Sequence, residues 1–131
     1  MTNDKALAGV KIVWIEDDKF LASMVGKRMT ETGAELTQVV DGAKAFDVVK
    51  QSQPAIVVLD LLMPNVDGFE ILRLMKSNSE TKGIPVMILS NLGQKEEMER
   101  AQKLGAAKFI IKATTGFDEI IPEILKVLKK K

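Results

Sequence analysis

The chain has neither cysteine nor histidine among its 131 residues. Lacking cysteine, it can build no disulfide framework, thiolate metal site or thiol nucleophile. Lacking histidine, it has no imidazole for acid–base catalysis or metal ligation, and it cannot serve as a phosphohistidine carrier. An excess of one charge is missing too. Nineteen basic and 18 acidic residues leave a net charge of +1, which gives no electrostatic case for direct nucleic acid binding. No apolar run approaches the roughly 18 residues of a membrane span, and Met1 to Gly9 is too polar and short for a signal peptide. The expectation is one cytoplasmic domain over residues 1–131, core about 10–128, long enough to bury a core without disulfides or a structural metal.

What is present is an alternation of apolar runs and amphipathic stretches. Val10–Ile15 reads as a strand with Glu16, Asp17 and Asp18 at its carboxyl end. Phe20, Leu21, Met24, Val25 and Met29 then recur at helical spacing, with Gly33 placed to stop the helix. Glu35–Val40 is polar enough for an edge strand. Asp41 can cap a helix that carries Ala45, Phe46 and Val49 inward, closed by Pro54. Ala55–Asp60 is a continuous apolar run ending in one acid, as in a strand buried on both faces. Asp67 and Glu70 resemble a capping box for a helix burying Ile71, Leu72 and Met75.

Ile84–Leu89 is the next strand, with Pro85 tolerable near its start, and it ends at Ser90. A polar helix spans Gln94 to Leu104 and is stopped by Gly105; Lys108–Ile111 is the last strand, followed by Lys112. Phe117, Ile120, Ile121, Ile124, Leu125 and Leu128 trace a final helical stripe. With Thr115 as its cap, Pro122 falls inside that helix, so a kink or a start one turn later is expected. Five such repeats define an α/β fold with a parallel sheet. The polar second strand suggests a flavodoxin-like (βα)5 three-layer sandwich in the order 2-1-3-4-5.

In that order the carboxyl ends of strands one, three, four and five are neighbours. Glu16, Asp17, Asp60, Ser90 and Lys112 therefore gather at one rim. Two like charges about 4 Å apart cost roughly 4 kcal/mol at an effective dielectric near 20. Such a rim holds a proton or a cation. Oxygen ligands alone select a hard ion, and Mg²⁺ combines one or two carboxylates with phosphate oxygens. Phosphoryl chemistry with Asp60 as nucleophile follows, aided by the Lys112 ammonium and the Ser90 hydroxyl. Asp18 and Asp67 read better as helix caps than as ligands.

Ile15-Glu-Asp-Asp18, Leu59-Asp-Leu-Leu-Met-Pro64 with Asp67-Gly68, and Ile110-Ile-Lys112 together resemble the receiver domain of response regulators, from about Val10 to Leu128. The resemblance implies Asp60 as phosphoacceptor and Glu16 and Asp17 as the acidic metal pair. It further implies the backbone carbonyl of Leu62 as a third protein ligand to Mg²⁺, Ser90 as switch hydroxyl and Lys112 as phosphate-binding lysine. Phe109 reads equally as the family's switch aromatic and as edge-strand packing. The implied donor is a histidine kinase or histidine phosphotransfer protein. The implied output is a downstream protein target, or a homodimer, on the face made by helix 4, strand 5 and helix 5.

The implied protein is a signalling switch that catalyses its own phosphorylation and dephosphorylation rather than an enzyme. Two positions depart from the family pattern. Ala113 follows Lys112 where a cis-proline is usual, and a cis bond without proline costs about 3 kcal/mol, so a trans bond or a rearranged loop is expected. Asn91 follows Ser90 where a smaller residue is commoner. These departures keep open a degenerate receiver that binds or dimerises without phosphorylation. An Asp-nucleophile phosphatase is disfavoured, because its second acid would fall at position 62, which is Leu. No helix-turn-helix is visible, so the chain reads as a stand-alone receiver or as one cut from a larger regulator.

Overall fold

The apolar runs form strands, and the stretches between them form helices that cover both faces of the resulting sheet. In the computed structural model, residues 6–63, 66–91, 94–112 and 116–129 are described, the side chains of Leu62 and Phe117 excepted. The first half of the chain comprises β1 (Lys11–Ile15), α1 (Lys19–Glu31), β2 (Glu35–Val39), a 3-10 turn (Gly42–Lys44), α2 (Ala45–Ser52) and β3 (Ile56–Asp60). A two-residue hairpin, β4 (Leu62–Met63) and β5 (Val66–Asp67), leads into α3 (Gly68–Ser77). The second half continues with β6 (Val86–Ser90), α4 (Lys95–Lys103), β7 (Lys108–Ile111) and α5 (Phe117–Lys129).

The five long strands are all parallel and stand in the order β2-β1-β3-β6-β7. Counting sheet strands alone, this is the expected 2-1-3-4-5. Strand period decides which face each residue serves. Val13, Ile15, Val57, Leu59, Val86 and Ile88 pack with residues of α2, α3 and α4 on one face. Ile12, Trp14, Ile56, Val58, Met87 and Leu89 pack with α1 and α5 on the other. Every residue of β3 and β6 is buried, which is why those runs are apolar without alternation. Full burial of one such side chain contributes about 1.5–3 kcal/mol. β2 lies at the edge and is mostly exposed or half-buried.

Local chemistry corrects several expectations. The Asp18 carboxylate accepts from the backbone N–H groups of Phe20 (3.0 Å) and Leu21 (3.1 Å), and the helix so started buries Ala22, Val25 and Met29. Phe20 and Met24 face outward instead, 74% and 53% exposed. Asp41 caps the 3-10 turn, accepting from Ala43 N–H at 3.0 Å, so the regular helix begins later, at Ala45. Asp67 does cap α3, accepting from Phe69 N–H at 2.9 Å, but Glu70 turns to Arg73 at 2.5 Å and closes no capping box. Pro85 precedes β6 rather than opening it, and its carbonyl accepts from Val57 N–H at 3.0 Å.

α1 and α4 are each followed by a glycine in the left-handed region, Gly33 (φ +87) and Gly105 (φ +103), as the sequence spacing anticipated. α5 runs as one helix through Pro122, starting at Phe117 rather than a turn later. Pro122 is exposed, so water can satisfy the Asp118 carbonyl that loses its partner. Ile120, Ile124 and Val127 form its buried line, with Ile121, Leu125 and Leu128 beside it. Gly68 meets a backbone requirement at the entry to α3. A Cβ there would stand 2.7 Å from the Leu61 Cα, so only glycine lets α3 start against the residue that follows Asp60. Among the described residues no helix is long and apolar enough to cross a membrane.

Candidate functional site

Parallel strands that end level with one another place their next residues along one rim. Glu16 follows β1 and is pinned there by its backbone N–H, which donates to the Val39 carbonyl at 3.0 Å. Asp60 is the last residue of the central strand β3, opposite Leu89 of β6. Lys112 follows β7, whose Ile111 lies opposite Ser90. Asp60, Ser90 and Glu16 are all buried, with Glu16 3% and Asp60 4% exposed.

The side chains converge. The Lys112 ammonium donates to Glu16 Oε1 at 2.8 Å and to Asp60 Oδ2 at 2.9 Å. Glu16, Asp17 and Asp60 each present a carboxylate oxygen, all within 4.8 Å of one another. Burial raises the Glu16 carboxyl to about 7, reinforced by its hydrogen bond to Asp60 and the charge of Asp60, while Lys112 opposes the rise. For Lys112, burial acts to lower the pKa, but the hydrogen bonds and charges of Glu16 and Asp60 outweigh it and hold the ammonium above its ordinary range.

When ionised, three carboxylates and one ammonium leave two negative charges, which one divalent cation balances. The donors are all oxygen and include no thiolate or imidazole. That set suits a hard cation such as Mg²⁺ rather than a soft metal. Glu16, Asp17 and Asp60 are therefore the residues that could hold it. Leu62, the other expected ligand, sits in β4 opposite Asp67.

Of the residues singled out in the sequence, Glu16, Asp17, Asp60 and Lys112 are brought together, and Ser90 sits one position past the residue facing Asp60. Phe109 is not at the rim. It is half-buried against the α2–α4 side of the core, beside a groove of about 280 Å³ that Met98, Ala101 and Ala106 also line. Pro64, Ala113 and Thr115 lie outside the described residues, so the expectation for the Lys112–Ala113 bond lies there too. The direct contact between Lys112 and Glu16 was not anticipated. Spacing placed Lys112 opposite the acids as a group, and nothing in the sequence chose its second partner.

A parallel (βα)5 sheet with an acidic rim closed by a lysine belongs to the flavodoxin-like class, with chemistry at the carboxyl ends of its strands. Within that class the chain belongs to the response regulator receiver domain family, whose model matches residues 12–124. It is 29% identical over 120 residues to the DNA-binding dual master transcriptional regulator RpaA of Synechocystis sp., covering 92% of this chain and 49% of that protein. It is 26% identical over 121 residues to the transcriptional regulatory protein CusR of Escherichia coli K12, covering 92% and 52%. The chain thus spans about half the length of these curated relatives.

Among solved structures, the receiver domain of the Francisella response regulator 1452 superposes with a TM-score of 0.83 at 26% identity, covering 93% of this chain and 98% of that one. The chain is a receiver domain of the two-component response regulator type, a class of signalling switches rather than classical enzymes.

Proposed function

We propose that this receiver is a phosphoacceptor switch with Asp60 as the acceptor. The observation that carries this reading is the bridge from Lys112 to both Glu16 and Asp60, with three carboxylate oxygens inside 4.8 Å. A histidine kinase or histidine phosphotransfer protein presents a phosphohistidine. An Asp60 carboxylate oxygen attacks phosphorus, the P–N bond breaks, and the imidazole leaves with the bonding electrons. Glu16, Asp17, Asp60 and the Leu62 carbonyl would hold Mg²⁺, which when bound would neutralise charge at the phosphoryl oxygens.

The chain's own groups do the rest. Lys112 exchanges Asp60 Oδ2 for a phosphoryl oxygen, and Ser90 donates its hydroxyl to another. The phosphoryl group adds roughly −1.5 to −2 of charge at the rim. Movement of Ser90 toward it opens room beside Phe109, which turns and repacks the α4–β7–α5 face for a downstream protein target or a homodimer. The groove already present beside Phe109 supports that route. The same site catalyses its own hydrolytic reset in the cytoplasm, with residues 1–131 acting as one unit. The named relatives are transcriptional regulators; within these 131 residues, a net charge of +1 supports protein contacts rather than direct nucleic acid binding.

The test is mass spectrometry after incubation with acetyl phosphate and Mg²⁺. Wild type gains one phosphoryl group and Asp60→Asn gains none. Failure of wild type to label would instead favour a degenerate receiver acting as a phosphorylation-independent binding module.

A further inference from the structure

A half-open apolar cleft lies beside two of the same rim residues, Glu16 and Lys112. It has a volume of about 180 Å³ and sits between α1, α5 and the carboxyl end of β1. Trp14, Val25 and Ile120 are buried apolar residues lining it, and Leu21, 38% exposed, lines it from α1. Glu16 and Lys112 also line it. The cavity therefore has apolar walls and shares two charged side chains with the acidic rim.

We propose that this cavity binds a small neutral molecule with a ring-sized apolar body and one hydrogen-bond acceptor, such as a carbonyl or hydroxyl oxygen. Its volume sets the size class: about 180 Å³ of half-open space covers one ring-sized body, whereas drug-sized ligands need about 300 Å³ or more. The lining fixes the polarity. An anionic head would face Glu16 beside Lys112, and a cationic head would compete with the Lys112 ammonium for Glu16. A neutral acceptor meets neither penalty. An ammonium has three N–H donors, and Lys112 directs two of them to Glu16 and Asp60.

Occupancy would also act on the rim. A molecule wedged between Leu21 and Ile120 and bonded to Lys112 holds that ammonium in its resting place beside Glu16 and Asp60. Resting on the phosphoacceptor reading for this consequence alone, the ligand slows phosphorylation of Asp60, because Lys112 must leave Asp60 to reach the phosphoryl group.

Trp14 is the only tryptophan in the chain, so its fluorescence reports the cavity directly. Cyclohexanone is the probe, with methylcyclohexane and benzoate as controls, and amide chemical shifts are recorded on the same samples. The expected result is a saturable change in Trp14 emission with cyclohexanone, with shifts confined to the residues around Trp14, Leu21 and Ile120. Both controls should bind at least about tenfold more weakly. Leu21→Phe, a change at a partly exposed position, should fill the cavity and weaken cyclohexanone binding by a similar factor while still labelling with acetyl phosphate. Saturating cyclohexanone should slow labelling of wild type about fivefold or more. No saturable change, or shifts scattered over the whole core, would overturn the site. Binding with an unchanged labelling rate would overturn its regulatory role. Absence of labelling without any probe would count against the phosphoacceptor reading and leave the binding result standing.

Discussion

Replacing Glu16 with glutamine separates the cost of crowding acids at the rim from every other term in stability. The Glu16 carboxyl is held at about 7 instead of the ordinary 4.5, mainly by burial and then by Asp60. A carboxyl whose pKa is raised in the folded state stabilises the fold relative to high pH below about 4.5. That contribution is lost as pH climbs through 7, because the folded chain then gives up a proton it bound more tightly than the unfolded chain did. The gap corresponds to about 3 kcal/mol.

The amide of the Glu16→Gln variant cannot ionise, though its oxygen can still accept from Lys112, so the variant lacks this loss. Relative to wild type it should gain about 3 kcal/mol between pH 4 and pH 8, a net figure in which the charge-assisted bond to Lys112 at 2.8 Å is already counted. The assay is urea unfolding followed by circular dichroism, in chelator-treated buffer across that range. Adding Mg²⁺ at pH 8 to a hundred times its Kd should then return about 2.7 kcal/mol to wild type and markedly less to the variant at the same concentration. A stability difference between variant and wild type that does not change with pH would refute the reasoning.

Further expectations follow from the same geometry. Lys112→Ala leaves Glu16 and Asp60 buried without their cation; unfolding in metal-free buffer at pH 8 should show a loss of about 3 kcal/mol, and labelling by acetyl phosphate should slow by about tenfold or more. Gly68→Ala drives a methyl group into the Leu61 backbone at 2.7 Å and should cost about 1–3 kcal/mol by urea titration, with Asp60 labelling slowed because Leu61 is its neighbour. Asp18→Ala removes two hydrogen bonds at the start of α1 and should cost about 1 kcal/mol. Because Asp18 is a cap and not a metal ligand, Mg²⁺ affinity measured by titration calorimetry should change little.

Much of the fold was legible because two unambiguous signals agreed. β3 and β6 are apolar at every core position, as only strands buried on both faces need to be. The polar edge strand then fixed the order, and the order brought distant strand ends to one rim. The site inherited that legibility, since a residue at a strand's carboxyl end can be placed from sequence. Features set by rotation or by two-residue geometry were not legible. α1 carries apolar residues around much of its circumference, so periodicity could not tell that Ala22 turns inward while Phe20 and Met24 turn out. The β4–β5 hairpin is too short to leave a pattern. Glu70 had a partner at either side, and Arg73 three residues ahead took it from the cap.

If Glu16 and Asp17 after β1, Asp60 at the end of β3 and Lys112 together form a magnesium-dependent phosphoryl site, a phosphoryl mimic must bind there under the same conditions. Fluorine NMR of the protein with beryllofluoride tests it most directly. A stoichiometric bound fluoride signal is expected that requires Mg²⁺, disappears in Asp60→Asn and weakens in Lys112→Ala. A bound signal that forms equally well without Mg²⁺ or in Asp60→Asn, or no bound signal at all, would contradict it.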